Sequence, residues 1–171
     1  ALAEQIIQLQ PNLVIKVDNG ISCIAGIELV KQAGITGIVT DNHLQGGQLP
    51  NADAIVNPNR KDCPFPSISI TSVGLAFYLL IALRHTLREK GYFPSQTEPN
   101  LASLLDIVAL GTVADVVALD ANNRTLVHQG LARIKSGKTR PGIQALIEVA
   151  NRNMARLSAS DFAFSLAPRL N

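Results

Sequence analysis

At 171 residues, with 47% hydrophobic and only 16% charged side chains, the chain can bury a core within one domain and is too apolar to be disordered. The lack of Trp and the 4% aromatic content argue against an aromatic platform for stacking bases. The formal net charge of +2 hides an asymmetry, for residues 1–120 carry 7 Lys and Arg against 11 Asp and Glu while residues 121–171 carry 8 against 2. That distribution suits a cation in one half and a polyanion in the other, or solvated helix faces in both.

The longest apolar run, Val73 to Leu83, is 11 residues and too short to span a bilayer. No basic, apolar, small-residue leader opens the sequence. Cys23 and Cys63 lack metal-ligand spacing and suggest no disulfide framework, so a reducing cytoplasm is the expected setting, with no membrane partner. The sequence opens inside a helix pattern and stops at Pro168-Arg169-Leu170-Asn171 with no cap, which reads as a piece of a longer protein.

Leu2, Ile6, Ile7 and Leu9 mark an amphipathic helix that Pro11 ends. Leu13 to Val17 is a strand closing on Asp18-Asn19-Gly20, where glycine permits a sharp turn. Residues 21–33 read as a helix stopped by Gly34. Ile38-Val39-Thr40 is the next strand and ends in Asp41-Asn42-His43; Ala54-Ile55-Val56 is a third, stopped by Asn57-Pro58-Asn59. Strand, helix and strand within about 30 residues predict parallel pairing with a right-handed crossover. The runs do not alternate, as in strands buried on both faces.

Beyond a Pro-containing loop at 60–70, residues 72–90 predict a central buried helix, apolar nearly all round at its start. Ser95 to Pro99 is a polar linker, and Asn100 caps a helix over 101–110. Gly111 to Asp115 breaks that helix and leaves an acidic residue in a hydrophobic stretch. Further helices are expected near 123–136, 141–151 (with proline in the first turn) and 158–166. The expected fold class is α/β, a doubly wound parallel sheet with a helical C-terminal part; 1–95 form the α/β core and 96–171 its helical continuation.

Asp18 and Asp41 close consecutive strands, and parallel neighbours bring their ends to one sheet edge, where ligand sites of open α/β sheets collect. Two carboxylates there repel unless a cation neutralises them or one takes a proton. A hard ion such as Mg²⁺ or Mn²⁺ meets that need with oxygen and imidazole donors. Asp115 is a third carboxylate, costly to bury without a partner. His43 can be a ligand, a general acid or a phosphate contact. Each has a plainer reading as well: Asp18 and Asp41 as turn residues, Asp115 as a cap, His43 as a surface histidine. No phosphate-loop or dinucleotide-binding glycine motif occurs.

Val17-Asp18-Asn19-Gly20-Ile21-Ser22, Val39-Thr40-Asp41-Asn42-His43-Leu44, Asn57-Pro58-Asn59 and Leu110-Gly111-Thr112-Val113-Ala114-Asp115-Val116-Val117 resemble successive motifs of the DHH phosphoesterase family. With Pro141-Gly142-Ile143, Val149-Ala150-Asn151-Arg152 and Pro168-Arg169-Leu170-Asn171, the likeness covers essentially the whole chain and is closest to bacterial 5′→3′ exonucleases specific for single-stranded DNA.

The resemblance implies that Asp18 bridges two Mn²⁺ or Mg²⁺ ions and that Asp41 opens the Asp-His-His signature and supports the ligands around it. It also implies that His43 faces the scissile phosphate, that Asp115 binds the second metal, and that Arg169 approaches the substrate phosphate. Asn42 stands where the family has a metal-binding histidine, a weaker and neutral donor. Ala167 stands where a glycine is usual.

The family's first strand, bearing an Asp-x-Asp motif, is expected upstream of Ala1, and its nucleic-acid-binding domains downstream. The 171 residues alone are therefore expected to be inactive. Two other readings remain open: another phosphohydrolase of the family acting on short oligonucleotides, a cyclic dinucleotide or pyrophosphate, and a non-catalytic module that binds nucleic acid or a partner protein. No repair-protein partner is legible in the sequence.

Overall fold

The computed structural model describes residues 2–94 and 98–170; the first three residues of the expected linker, Ser95 to Thr97, and the last motif residue, Asn171, lie outside them. The chain forms two compact units, residues 1–68 and 69–171.

In the first unit, helix α1 (Leu2–Gln8) leads into strand β1 (Leu13–Val17), a 3-10 turn at Gly20–Ser22, helix α2 (Ile24–Gln32), and strands β2 (Thr36–Thr40) and β3 (Ala54–Val56). The sheet is parallel in the order β1-β2-β3, as the strand-helix-strand spacing predicts. Val39 has no exposed surface, and the core of this unit also buries Ile21, Ile27, Val30 and Ile35, from α2 and its flanking turns. Gly20 is required here by close approach: a Cβ on it would meet Cγ1 of Val39 at 2.6 Å.

The expectation of strands buried on both faces holds best for β2 and fails for β1 and β3, where no residue is buried. Leu13, Ile15 and Val17, on one face of β1, are 44%, 48% and 43% exposed. Among the described residues β1 pairs with β2 alone, so its apolar run is that of an edge strand with one covered face.

The second unit is helical: α3 (Ser72–Glu89), a 3-10 turn at Leu101–Leu104, α4 (Leu105–Ala114), α5 (Ala121–Lys135), α6 (Pro141–Val149) and a short α7 (Ala159–Asp161) that runs into a π-helical turn at Phe162–Leu166 and a 3-10 turn at Ala167–Arg169. Its main core joins Ala109, Leu110, Ile134, Ile143, Ile147, Leu157, Phe162 and Leu166, and a second cluster holds Phe77, Leu101, Val108 and Leu126. The expected cap at Asn100 forms, its side chain accepting the Ala102 N–H at 3.1 Å, but it opens a 3-10 turn and not an α-helix. Ser158 and Asp161 cap each other's backbone in a capping box.

Three expectations are corrected. Helix α4 runs through Gly111 to Ala114 instead of breaking there; a Cβ at Gly111 would meet Cγ1 of Val73 at 2.7 Å, so this glycine serves the crossing of α3 and α4. Helix α3 buries Ser72, Gly74, Leu75 and Phe77 in its first two turns but exposes Leu80 and Leu83, so it is half-buried and not central. The 158–166 segment is one capped α-turn followed by π-helix, not a regular helix. Among the described residues no helix is long and apolar enough to cross a membrane.

Candidate functional site

Strand register determines which residues can meet at the end of the first unit's sheet. Val17 pairs with Thr40 and Thr40 with Val56, so Asp18, Asp41 and Asn57 are the next residues in one row across three parallel strands. Neighbouring strands lie about 4.8 Å apart, which brings these three polar residues to the same sheet edge. The Asp18 N–H still bonds the Thr40 carbonyl at 2.9 Å, and the Asp41 N–H bonds the Val56 carbonyl at 3.0 Å. The ladder therefore continues one residue past each strand.

Asp18 sits at φ +80°, a left-handed conformation that a non-glycine residue adopts at a cost of about 1–3 kcal/mol. The turn lets the chain leave β1 for the Gly20 approach to Val39 while Asp18 stays exposed at the sheet edge.

Asp41 is wholly buried, and both of its oxygens are engaged. Oδ2 accepts the Ile21 N–H at 2.7 Å; Oδ1 accepts the His43 N–H at 3.0 Å and lies 2.7 Å from Nδ1 of the His43 ring. Burial pushes this carboxyl upward, but the two backbone donors and the imidazole outweigh it and hold it below the ordinary carboxylate value. The His43 ring, 62% exposed, is pushed the other way, first by its hydrogen bond to Asp41; burial opposes this, and the charge of Asp41, a bond to the Asp18 backbone and the charge of Asp18 add to the rise. Asp18, Asp41 and His43 are thus brought together, with Asp41 as the buried support.

The loop carrying Asn42 and His43 is clamped by the Asn57-Pro58-Asn59 turn. Asn57, almost fully buried, donates to the His43 carbonyl at 2.8 Å and accepts the Asn59 N–H at 2.7 Å. Asn59 donates to the Asn42 carbonyl at 2.6 Å and to the Ile68 carbonyl at 3.2 Å. This bracing role was not assigned from the sequence, although an amide-rich turn directly after a short apolar strand was its visible signal.

Asp115 and Arg169 belong to the second unit. Asp115 is exposed at the C-terminus of α4, its N–H on the Gly111 carbonyl at 3.0 Å, so within its hydrophobic stretch the carboxylate carries no burial cost. Val116 beside it holds φ +56° with its side chain 87% exposed, a strained geometry for a β-branched residue. Arg169 is exposed in the final 3-10 turn and donates to the Ser165 carbonyl, while Arg152 donates to the Ser165 hydroxyl at 2.9 Å.

The donor set can be tested against a metal. Among the described residues no group of three or more His, Cys, Asp or Glu side chains is arranged to hold an ion. In the first unit the Asp18 carboxylate is exposed at the sheet edge, Asn42 follows Asp41 in the loop after β2, and both oxygens of Asp41 are engaged by backbone donors and His43. Oxygen donors of this kind suit Mg²⁺ and Mn²⁺ and do not suit zinc, so the donor chemistry fits a hard cation.

Residues 2–112 match the DHH family, N-terminal domain. Over 161 residues the chain is 60% identical to the single-stranded-DNA-specific exonuclease RecJ of Salmonella typhimurium, covering 93% of this chain and 28% of that protein. It is 52% identical over 170 residues to the protein of that name from Haemophilus influenzae, covering 99% and 30%. The chain thus spans less than a third of the length of these relatives.

Among solved structures, an exonuclease RecJ bound to manganese superposes with a TM-score of 0.81 at 31% identity, over 99% of this chain and 40% of that one. RecJ from Thermus thermophilus in complex with Mn²⁺ gives 0.77 at 32% identity, over 98% and 23%. The α/β fold with its parallel sheet and helical C-terminal part is the one these structures share, and the chain belongs to the DHH family.

Proposed function

We propose that this chain is part of the catalytic domain of a metal-dependent exonuclease that hydrolyses phosphodiester bonds of single-stranded DNA in the 5′→3′ direction. The observation that carries the reading is the row of Asp18, Asp41 and Asn57 across three parallel strand ends, with His43 held against Asp41, in a chain 60% identical to a single-stranded-DNA-specific exonuclease. The domain division at 95/96, a cytoplasmic setting and a part in DNA repair and recombination belong to the same proposal.

In this reading Asp18 supplies the charged oxygen of a Mn²⁺ or Mg²⁺ site and Asn42 a neutral one. Bound divalent ions would polarise the phosphodiester and lower the pKa of an attacking water. Asp41 holds the His43 ring, and the ring, exposed and biased toward its charged form, donates to a phosphate oxygen. Asp115 at the C-terminal end of α4 faces an unfavourable helix dipole, and a bound cation offsets it; this supports Asp115 as the ligand of a second ion. Arg169 contacts a phosphate of the substrate as a charge-assisted donor.

The test is Mn²⁺-dependent release of nucleotides from 5′-labelled single-stranded oligonucleotides by a full-length relative in which the matching residues are exchanged for those found here. Retained 5′→3′ degradation supports the reading. Cleavage confined to dinucleotides or cyclic dinucleotides would favour a different phosphohydrolase of the family.

A further inference from the structure

Within the second unit a cleft of about 290 Å³ opens between the start of α4, the end of α5 and the turn before α6. Ser103, Asp106, Arg133, Lys138, Thr139 and Arg140 line it. Its single carboxylate is already satisfied: Asp106, 1% exposed, accepts from the Thr139 hydroxyl at 2.9 Å and the Arg140 N–H at 3.1 Å on one oxygen, and from the Arg140 guanidinium on the other. That pairing cancels one positive charge and leaves the cleft with the charges of Arg133 and Lys138.

The wall is built by local structure. Helix α5 ends in a glycine turn, with Gly137 at φ +75°, its N–H on the Ile134 carbonyl at 2.9 Å and the Lys138 N–H on the Arg133 carbonyl at 3.0 Å. This reversal carries Lys138 and Thr139 back over the start of α4, where Thr139 is locked by Asp106. Nε of Arg133 is buried without a hydrogen-bond partner among the described residues. A buried donor left unmade is a free-energy cost, and Arg133 lines the cleft, within reach of a ligand there.

We propose that this cleft binds a backbone phosphate of single-stranded nucleic acid, with Arg133 and Lys138 as its charged donors and the Asp106–Arg140 pair as the frame that positions them. The size suits a phosphate with its sugar, just under the range of about 300–1,000 Å³ for small-molecule sites. No aromatic side chain lines it, so it holds backbone and reads no base. The proposal rests on the nucleic-acid reading above.

The test uses this chain without divalent metal, so that nothing is hydrolysed. Affinity for a fluorescent single-stranded oligothymidylate is measured across salt concentrations for the wild type, for the double variant Arg133→Gln/Lys138→Gln, and for Lys61→Gln/Lys90→Gln, which removes the same charge from exposed positions outside the cleft. For single strands the log–log salt slope falls by about 0.7 for each phosphate that is no longer neutralised. The cleft variant is expected to show that drop and the control is not. In parallel, the amide resonances of Gly137, Lys138 and Thr139 are followed in the wild type during titration with the oligonucleotide and with inorganic phosphate, which needs no variant to fold.

Shifts with the oligonucleotide support the proposal; shifts with inorganic phosphate alone overturn it in favour of a free-anion site. An unchanged slope in the cleft variant, while the wild type binds, overturns the cleft and leaves the nuclease reading standing. A wild type that binds no single strand overturns the cleft, while the nuclease reading is judged on the full-length relative.

Discussion

Nδ1 of His43 lies 2.7 Å from Oδ1 of Asp41, a carboxylate with no exposed surface whose other oxygen is held by the Ile21 backbone. Through the Ile21 bond Asp41 ties the end of β2 to the turn after β1, and through the His43 bond it orders the loop that follows β2.

Its pH dependence follows from the two directions. Asp41 is held below its ordinary value, so its contribution to stability is present above the unfolded carboxyl pKa of about 3.9 and is lost as pH falls through the lower folded value. His43 is raised, so its contribution is present below the unfolded value of about 6.5 and is lost as pH rises through the higher folded one. The pair is therefore strongest in mildly acid solution. A proton NMR titration of the metal-free chain should place the His43 midpoint above that of an exposed histidine, and Asp41→Asn should bring it back down. A midpoint indifferent to Asp41→Asn contradicts the assigned hydrogen bond.

Asn57→Ala should loosen the site from behind. The change strands the His43 carbonyl and the Asn59 N–H, two groups bonded to a nearly buried amide, and such losses cost about 1–3 kcal/mol. Thermal denaturation should report the destabilisation, and metal affinity should fall with it because the Asn42–His43 loop loses its brace.

Gly130→Ala tests the helical unit. A Cβ there would lie 2.2 Å from the Leu105 carbonyl oxygen and 2.3 Å from Cβ of Ala109, so α5 must move off α4. Overpacking of this kind costs about 1–3 kcal/mol, readable as a lowered denaturant midpoint. An unchanged midpoint would mean that the two helices slide apart freely.

Asp106→Ala removes the frame of the basic cleft. It leaves Arg140 and the Thr139 hydroxyl without their acceptor. Breaking a fully buried ion pair costs about 3–5 kcal/mol, and the one-third exposure of the Arg140 side chain puts this case near or below the lower end, about 2–3 kcal/mol. Differential scanning calorimetry on the purified variant measures it.

How much of this could be read from the residues follows from which forces are local. The β-branched runs at 13–17 and 38–40, Gly34 after α2 and Pro11 after α1 mark their elements through backbone preferences that need no tertiary context. The row of Asp18 and Asp41 was legible for the same reason, because parallel pairing of adjacent strands forces it. What sequence reasoning missed depends on neighbours far along the chain. Gly111 looks like a helix breaker until Val73 is seen against it. The apolar run of β1 is indistinguishable from a buried strand until its partners are known. Asp106 reads as one polar position in an apolar helix, and its partners stand 33 and 34 residues away.

The sharpest test is calorimetric titration of Mn²⁺ into this chain beside its Asn42→His and Asp18→Ala variants. If Asp18 and position 42 hold one ion at the sheet edge, the histidine variant binds more tightly than the wild type and the alanine variant loses the binding. Three indistinguishable titrations, with or without heat, would contradict a metal site at the ends of β1 and β2.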